Sequence, residues 1–244
     1  LRVSENFALR VHVDEVDPLR MALAVERLDY EIAVLCLELE AEHLNIDDLR
    51  WLIEEIRDIR EHVESVLVLP GCKLEAESAE TLRRAIRRTR PLVYLLAVGG
   101  GDPKINRTAV SDTRVDLLSH PERGNPHAGL GKYEIELARE KWTYVEIDLS
   151  RLLRREGERL AWQVSRIRDL LRLRRRKRFP TVVTLGARDP LELIRPKQVE
   201  DVLKLLGFED IEVKEMFVEA PREILRWNTA CKHVFTVPGV ASLG

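Results

Sequence analysis

The sequence predicts an α/β fold, TIM-barrel-like, with parallel strands inside and helices outside. Three observations predict it. Ile32–Leu37 (IAVLCL), Leu92–Val98 (LVYLLAV) and Thr181–Leu185 (TVVTL) are unbroken apolar runs, the pattern of strands covered on both faces. Segments of helical spacing stand between such runs, in at least six units of roughly 20–35 residues. The chain has 244 residues, enough for one barrel. A doubly wound open sheet is the alternative, but neither G-x-G-x-x-G nor G-x-x-x-x-G-K-[ST] follows any strand, so its nucleotide-binding forms have no support.

Taken in order, Phe7–Val13 reads as the first strand. Asp17-Pro18 opens a helix, with Met21, Leu23, Ala24 and Leu28 on its buried side. After the strand at Ile32–Leu37, Asn45 caps a helix whose apolar face is Leu49, Leu52, Ile53, Ile56 and Ile59. Ser65–Leu69 is the third strand, ended by Pro70-Gly71. Ser78 caps a helix with Leu82, Ala85 and Ile86 inside and Arg83, Arg84, Arg87, Arg88 and Arg90 largely outside. The fourth strand (Leu92–Val98) ends in three glycines, and a short helix around Ile105–Val110 leads to a fifth at Val115–Leu118. His127–Glu140 reads as helix and Thr143–Leu149 as the sixth strand.

The next helix places Leu160, Val164, Ile167 and Leu171 on one face, runs into Arg174-Arg175-Arg176-Lys177-Arg178, and stops at Pro180. Strand seven follows, then a helix over Pro196–Leu206 with Val199, Val202, Leu203 and Leu206 inward and Gly207 as its stop. Ile211–Val218 is an eighth strand or an irregular closing segment, and Pro221–Trp227 a last helical turn or two. The expected organisation is one barrel-like domain over residues 1–231, with irregular closure after strand seven, and a C-terminal tail over 232–244.

Charge is segregated. The net charge is only -2, yet residues 1–80 carry 8 basic and 20 acidic side chains, while residues 150–180 carry 12 basic and 3 acidic ones. Such a dipolar particle has one face able to meet phosphates; the alternative is that arginine-rich helices pair with acidic neighbours. Cys36, Cys72 and Cys231 are far apart and without C-x-x-C, which points to a reducing compartment rather than a disulfide scaffold. No run approaches a membrane span, and no signal-like segment opens the chain.

A barrel carries its site at the strand C-termini. Those positions hold His12, Asp14, Glu38, Glu40, Gly99–Asp102, Ser119, His120, Asp148 and Gly186–Asp189. His12, His120 and the acids invite a metal-dependent phosphoesterase reading. It lacks an H-x-H pair, and His127 and His233 stand apart, so structural histidines are the simpler reading. There is no G-x-S-x-G, and Glu146 and Asp148, two apart on one strand, are not by themselves an acid–base pair.

RNA binding explains more of the residues. Arg84, Arg87, Arg88, Arg107, Arg114, Arg151, Arg154, Arg155 and the run Arg174, Arg175, Arg176, Lys177 and Arg178 supply cations, mostly guanidinium forks, suited to phosphate oxygens. Aromatic residues make up only 5%, which argues for recognition of shape and backbone over stacking on bases. For each arginine alone, a solvated helix face is the plain alternative.

Four segments carry a family likeness: SDTRVDLLSHPE at Ser111–Glu122, AGLGKYEIELARE at Ala128–Glu140, VEIDLSRLLR at Val145–Arg154, and KRFPTVVTLGARDPLELIRPKQVEDVLKLLG at Lys177–Gly207. In this order and spacing the chain resembles the family of archaeal ribonuclease P protein component 3, related to the p30 subunit of the eukaryotic enzyme. The resemblance implies a barrel like that of the polymerase and histidinol-phosphatase superfamily, without its metal ligands. It implies a protein subunit of the ribonucleoprotein that removes 5′ leaders from precursor tRNA. The subunit would have no activity alone and no cofactor of its own, and the RNA would cleave with Mg2+. The implied partners are ribonuclease P RNA, a Pop5-like subunit, other ribonuclease P proteins and, indirectly, precursor tRNA, in the cytoplasm and away from membranes. Positions carried over are Arg114, His120, Arg151, Gly186, Ala187 and Arg195, with Arg188 beside them as a further RNA-binding candidate. Departures from the family pattern stand at Thr184–Ala187 and at Ser150-Arg151. A protein-only scaffold is the third reading.

Overall fold

Each apolar run becomes a strand of one parallel sheet, in sequence order: β1 (Phe7–His12), β2 (Ile32–Glu40), β3 (Leu67–Glu75), β4 (Leu95–Gly99), β5 (Leu117–Ser119), β6 (Tyr144–Asp148) and β7 (Thr181–Thr184). The computed structural model describes residues 6–124 and 129–230. The ends of the sheet approach each other, and two backbone hydrogen bonds cross the seam, His12 N to Ala187 O (2.8 Å) and Leu185 N to Leu9 O (3.3 Å). No ladder seals it among the described residues. The barrel is nearly closed, with the irregularity after β7 that the weakening pattern predicts.

Helices cover the outside: α1 (Pro18–Glu26), α2 (Ile46–Ile59), α3 (Ala79–Thr89), α4 (Pro103–Ser111), α5 (Lys132–Lys141), the short α6 (Ser150–Leu153), α7 (Gly157–Lys177) and α8 (Pro196–Leu206). Their starts are written in the sequence. Asp17, Asn45 and Ser78 each accept a backbone N–H of the first turn, which satisfies donors the helix itself leaves open. In α1 the buried side is Pro18, Met21, Ala22 and Val25, with Leu23, Ala24 and Leu28 only half-buried; the apolar face lies about one residue round from the expected one. The helix expected from His127 begins at Lys132, and residues 125–128 lie outside the described residues, as do the tail over 232–244 and Cys231.

Two expectations are corrected. The third strand does not end at Pro70-Gly71 but runs through both to Glu75. Pro70 O accepts Tyr94 N, so the N–H that proline lacks would point to the same side, ahead of the first paired residue of β4, Leu95, and no ladder bond is lost. A Cβ on Gly71 would overlap Cys36 Sγ and Val34, so only glycine fits that crowded interior. The second correction concerns Ile211–Val218, which is not a strand. It forms α9 (Asp210–Lys214) and a π-helical turn (Glu215–Glu219) leading into α10 (Ala220–Ala230). Val213, Met216, Phe217, Ala220, Ile224 and Leu225 are buried at helical intervals.

That last helix plugs the barrel at the end where the strands begin. Ala220, Ile224 and Leu225 join Phe7, Leu9, Leu69, Tyr94, Leu95 and Leu117 in the inner core. Burial of a leucine such as Leu225 contributes about 1.5–3 kcal/mol. Asn228 Nδ2 donates to Tyr94 O and Asp116 Oδ1, both at 2.9 Å. Asp116 also accepts Arg90 Nη1 at 2.6 Å. Arg90, expected on the polar face of its helix, is therefore buried, because a carboxylate and two backbone carbonyls wait for its forks.

The barrel mouth and the candidate nucleic-acid interface

At the opposite end, where the strands finish, an enzyme barrel opens to its substrate. Here the mouth is filled by the chain's own charges. A bulge in β1 between Ala8 and Val11 holds Arg10 at φ 54 and turns its side chain inward. Its guanidinium meets Glu146 through Nε, Asp148 through Nη2 (2.5 Å) and His12 Nε2 through Nη1 (2.6 Å). Arg10 is 2% exposed. Asp148 Oδ1 accepts Ser150 N and Oγ, and Glu146 Oε1 accepts Thr184 Oγ1. His120 Nε2 lies 3.2 Å from Asp148 Oδ2.

A second layer surrounds this cluster. Buried Lys73 sits 2.6 Å from Glu75 and 3.4 Å from Glu38, Arg123 reaches Glu75, and Arg188 bonds Glu38. Arg151 stands 3.8 Å from Glu122, and Arg154 pairs with Glu192 and donates to Gly186 O. Gly186 has φ 58, and a Cβ there would overlap Asp148, so this turn is glycine for both reasons.

The electrostatics follow from burial and pairing. Burial alone raises a carboxyl pKa, but Arg10 overcomes it and holds Glu146 below and Asp148 well below the usual range. Lys73 and Arg188 likewise bring Glu38 down to about 2 against its burial. Burial lowers the His12 pKa, so its ring is neutral. Its Nδ1 faces Asp14 Oδ2 at 3.2 Å, which leaves the Nε2 lone pair to accept Arg10. The phosphoesterase alternative would need His12 and His120 as metal ligands together with nearby acids. Among the described residues no three His, Cys, Asp or Glu side chains are placed to hold a metal ion, and Arg10 stands between the groups that would. A metal of the kind used in phosphoesterase barrels does not fit this mouth.

Arg155, half-buried just after α6, has no hydrogen bond or ion pair of its side chain among the described residues; the other cations expected to meet RNA divide into two classes. His120, Arg151, Arg154 and Arg188 belong to the mouth network. Arg84 pairs with Glu80, Arg107 with Glu134, Arg114 with Asp112, and Arg195 approaches Asp29 at 3.9 Å. Arg174 bonds Glu215 at 2.5 Å, and Arg175 holds Glu212 with two hydrogen bonds of 2.9 and 2.7 Å. In contrast, Arg87, Arg88, Arg176, Lys177 and Arg178 are exposed, and their side chains have no hydrogen bond or ion pair among the described residues. All five lie at the C-terminal ends of α3 and α7. Helices that return a parallel strand end beside the start of the next one, so both groups belong to the plugged end of the barrel.

Sequence reasoning missed Arg10, Lys73, Glu122 and Arg123 as parts of a site. The signal was available for two of them: Arg10 interrupts an apolar strand (FALRVH), and Lys73 does the same in LVLPGCKLE. A cation inside a buried strand requires a buried counter-charge.

The family model for RNase P subunit p30 matches residues 5–233. Ribonuclease P protein component 3 of Methanopyrus kandleri is 94% identical over all 244 residues, covering the whole of both chains. Among solved structures, a chain of archaeal ribonuclease P with mature tRNA, determined by cryo-electron microscopy, superposes with a TM-score of 0.78. The two share 23% identity, and the match covers 98% of this chain and 96% of that one. Histidinol phosphate phosphatase from Lactococcus lactis, complexed with zinc, L-histidinol and phosphate, has a TM-score of 0.56 at 12% identity, covering 84% and 95%. At these identities both structures are likenesses of fold.

Proposed function

Since the chain belongs to the RNase P subunit p30 family, we propose that it serves as a protein subunit of archaeal ribonuclease P, whose RNA performs the cleavage of precursor tRNA. Its contribution is to hold the RNA backbone with the unpaired cations at the plugged end of the barrel. The observation that carries this is the division of the cations: Arg87, Arg88, Arg176, Lys177 and Arg178 are exposed and have no counter-charge among the described residues. A cation in the last turn of a helix is stabilised by the helix dipole. Three in succession at Arg176–Arg178 exceed that need and repel one another, and phosphates relieve the repulsion. The mouth supports the same reading, because its acids are held by the chain's own cations.

Within this reading the acidic N-terminal third faces protein, and a Pop5-like subunit is the partner proposed for it. The setting is the cytoplasm, and no helix among the described residues is long and apolar enough to cross a membrane.

The test is binding of ribonuclease P RNA as a function of salt. Replacing Arg176, Lys177 and Arg178 by alanine is expected to lower the slope of log K against log salt by about 2–3, across unrelated structured RNAs. An unchanged slope in a folded variant removes these residues from the interface and favours a subunit that touches only protein.

A further inference from the structure

With Arg10 in place the mouth holds no metal site among the described residues, but the groups around its guanidinium are of the kinds that ligate divalent cations. Three acceptor atoms surround the Arg10 guanidinium: Glu146 Oε1, Asp148 Oδ2 and His12 Nε2. His12 has the arrangement of a metal-binding histidine, with one ring nitrogen against a carboxylate, Asp14, and the other lone pair turned to the cation. Asp148 is oriented by Ser150 and Glu146 by Thr184, as ligating carboxylates are oriented by hydrogen bonds behind them. Two buried carboxylates face one guanidinium, with His120 against Asp148 from the other side. The Glu146 side chain is 0% exposed, and beyond Arg10 and Thr184 the hydroxyl of Ser119 stands against it. A divalent ion would balance both carboxylates.

We propose that Arg10 is a resident cation: carried on the β1 bulge, its guanidinium occupies a carboxylate–histidine cage that otherwise binds a divalent metal ion. Removing it turns the mouth into a metal site. The wild-type barrel is therefore assembled around a charge that is covalently its own, independent of metal supply. A zinc ion would need its ligands at about 2.0–2.2 Å, closer than they stand around the wider guanidinium. Rotation of the Glu146, Asp148 and His12 side chains into the space Arg10 vacates provides that contraction.

The experiment uses the full chain, purified metal-free, as wild type, Arg10→Ala and Arg10→Lys. Each is titrated with ZnCl2 and MnCl2 by calorimetry and by metal analysis after gel filtration. Arg10→Ala is expected to take up one ion per chain and to melt at a higher temperature with the ion than without. Wild type and Arg10→Lys take up none. In the Arg10→Ala background, Thr184→Val weakens binding by about 10–100-fold, and Glu146→Gln with Asp148→Asn abolishes it. Should Arg10→Ala fail to fold without metal, recovery of its circular dichroism on refolding with ZnCl2 or MnCl2 is the same positive result. Failure to fold with either ion while Arg10→Lys folds would overturn the proposal. So would stoichiometric uptake by wild type, or uptake by Arg10→Ala that survives loss of both carboxylates.

Discussion

The two ends of this barrel treat charge in opposite ways. At the mouth, Arg10, Lys73, Arg123, Arg151 and Arg188 all face carboxylates, and the inner pairs are buried. At the plugged end, the last turns of α3 and α7 carry cations that have no partner among the described residues. Ion pairs that are internal and desolvated fix the geometry of the fold but have no capacity left for a ligand. Solvated cations without partners contribute little to folding and retain their full capacity to meet phosphate. In barrel enzymes the mouth binds the ligand and the opposite end serves stability. Under the proposed function those roles are exchanged in this chain.

The sharpest way to break the comparison is to damage one end and measure the other. Glu146→Ala breaks a buried pair with Arg10 and takes the acceptor from Thr184 Oγ1, and is expected to cost about 3–5 kcal/mol of stability, read by chemical denaturation. RNA affinity of the fraction that remains folded should match wild type; a mouth variant that is stable but binds RNA poorly would show that the mouth takes part in recognition. The converse damage separates adjacent arginines. The triple change at Arg176, Lys177 and Arg178 should alter the salt slope with little loss of stability. Arg174→Ala with Arg175→Ala should lower the melting temperature by releasing Glu212 and Glu215, with the slope retained.

Acid distinguishes the ends as well. Glu38, Glu146 and Asp148 have folded pKa values below their unfolded ones, Glu38 at about 2. Their contribution to stability is complete above the unfolded carboxyl pKa, about 3.9–4.3, and is lost as pH falls through the depressed folded values. His12, kept neutral by burial, adds a loss as pH drops through the unfolded histidine value of about 6.5. Stability should therefore decline from mildly acid pH downward, while RNA affinity of the folded protein at fixed ionic strength stays flat between pH 5 and 8 (roughly), since guanidinium and ammonium groups do not titrate there. Parallel titration of unfolding and binding measures both.

Much of the barrel was legible because its determinants are local. Unbroken apolar runs mark strands buried on both faces, and Asp17, Asn45 and Ser78 announce helix starts by capping chemistry. What was illegible depends on neighbours distant in sequence. Pro70-Gly71 reads as a stop, and it is tolerated in β3 only because β4 begins late and Cys36 crowds the interior. Arg174 and Arg176 are indistinguishable as sequence. They differ because the side of α7 that carries Arg174 faces the glutamates of α9 and the π-turn, about forty residues further on. Arg90 reads as part of a polar helix face, and Asp116, 26 residues later, buries it. Residue type thus marked which side chains are cations, and only the fold decided which of them are left without a partner among the described residues.

The smallest expected effect is also the one that sets fold against function at a single residue. Arg178 ends α7 in the left-handed conformation, φ 52 and ψ 57, where glycine is favoured and a side chain costs about 1–2 kcal/mol. Its N–H bonds Arg174 O at 2.7 Å and completes the cap, so the backbone needs this conformation whatever the side chain. Arg178→Gly should therefore raise stability by about 1 kcal/mol. The same change removes one unpaired cation and should reduce the salt slope by about 1. A gain in melting temperature together with a shallower slope identifies the arginine as retained for its charge against the preference of the chain. A gain with no change in slope would place Arg178 away from RNA and confine the contact to Arg176, Lys177 and the end of α3.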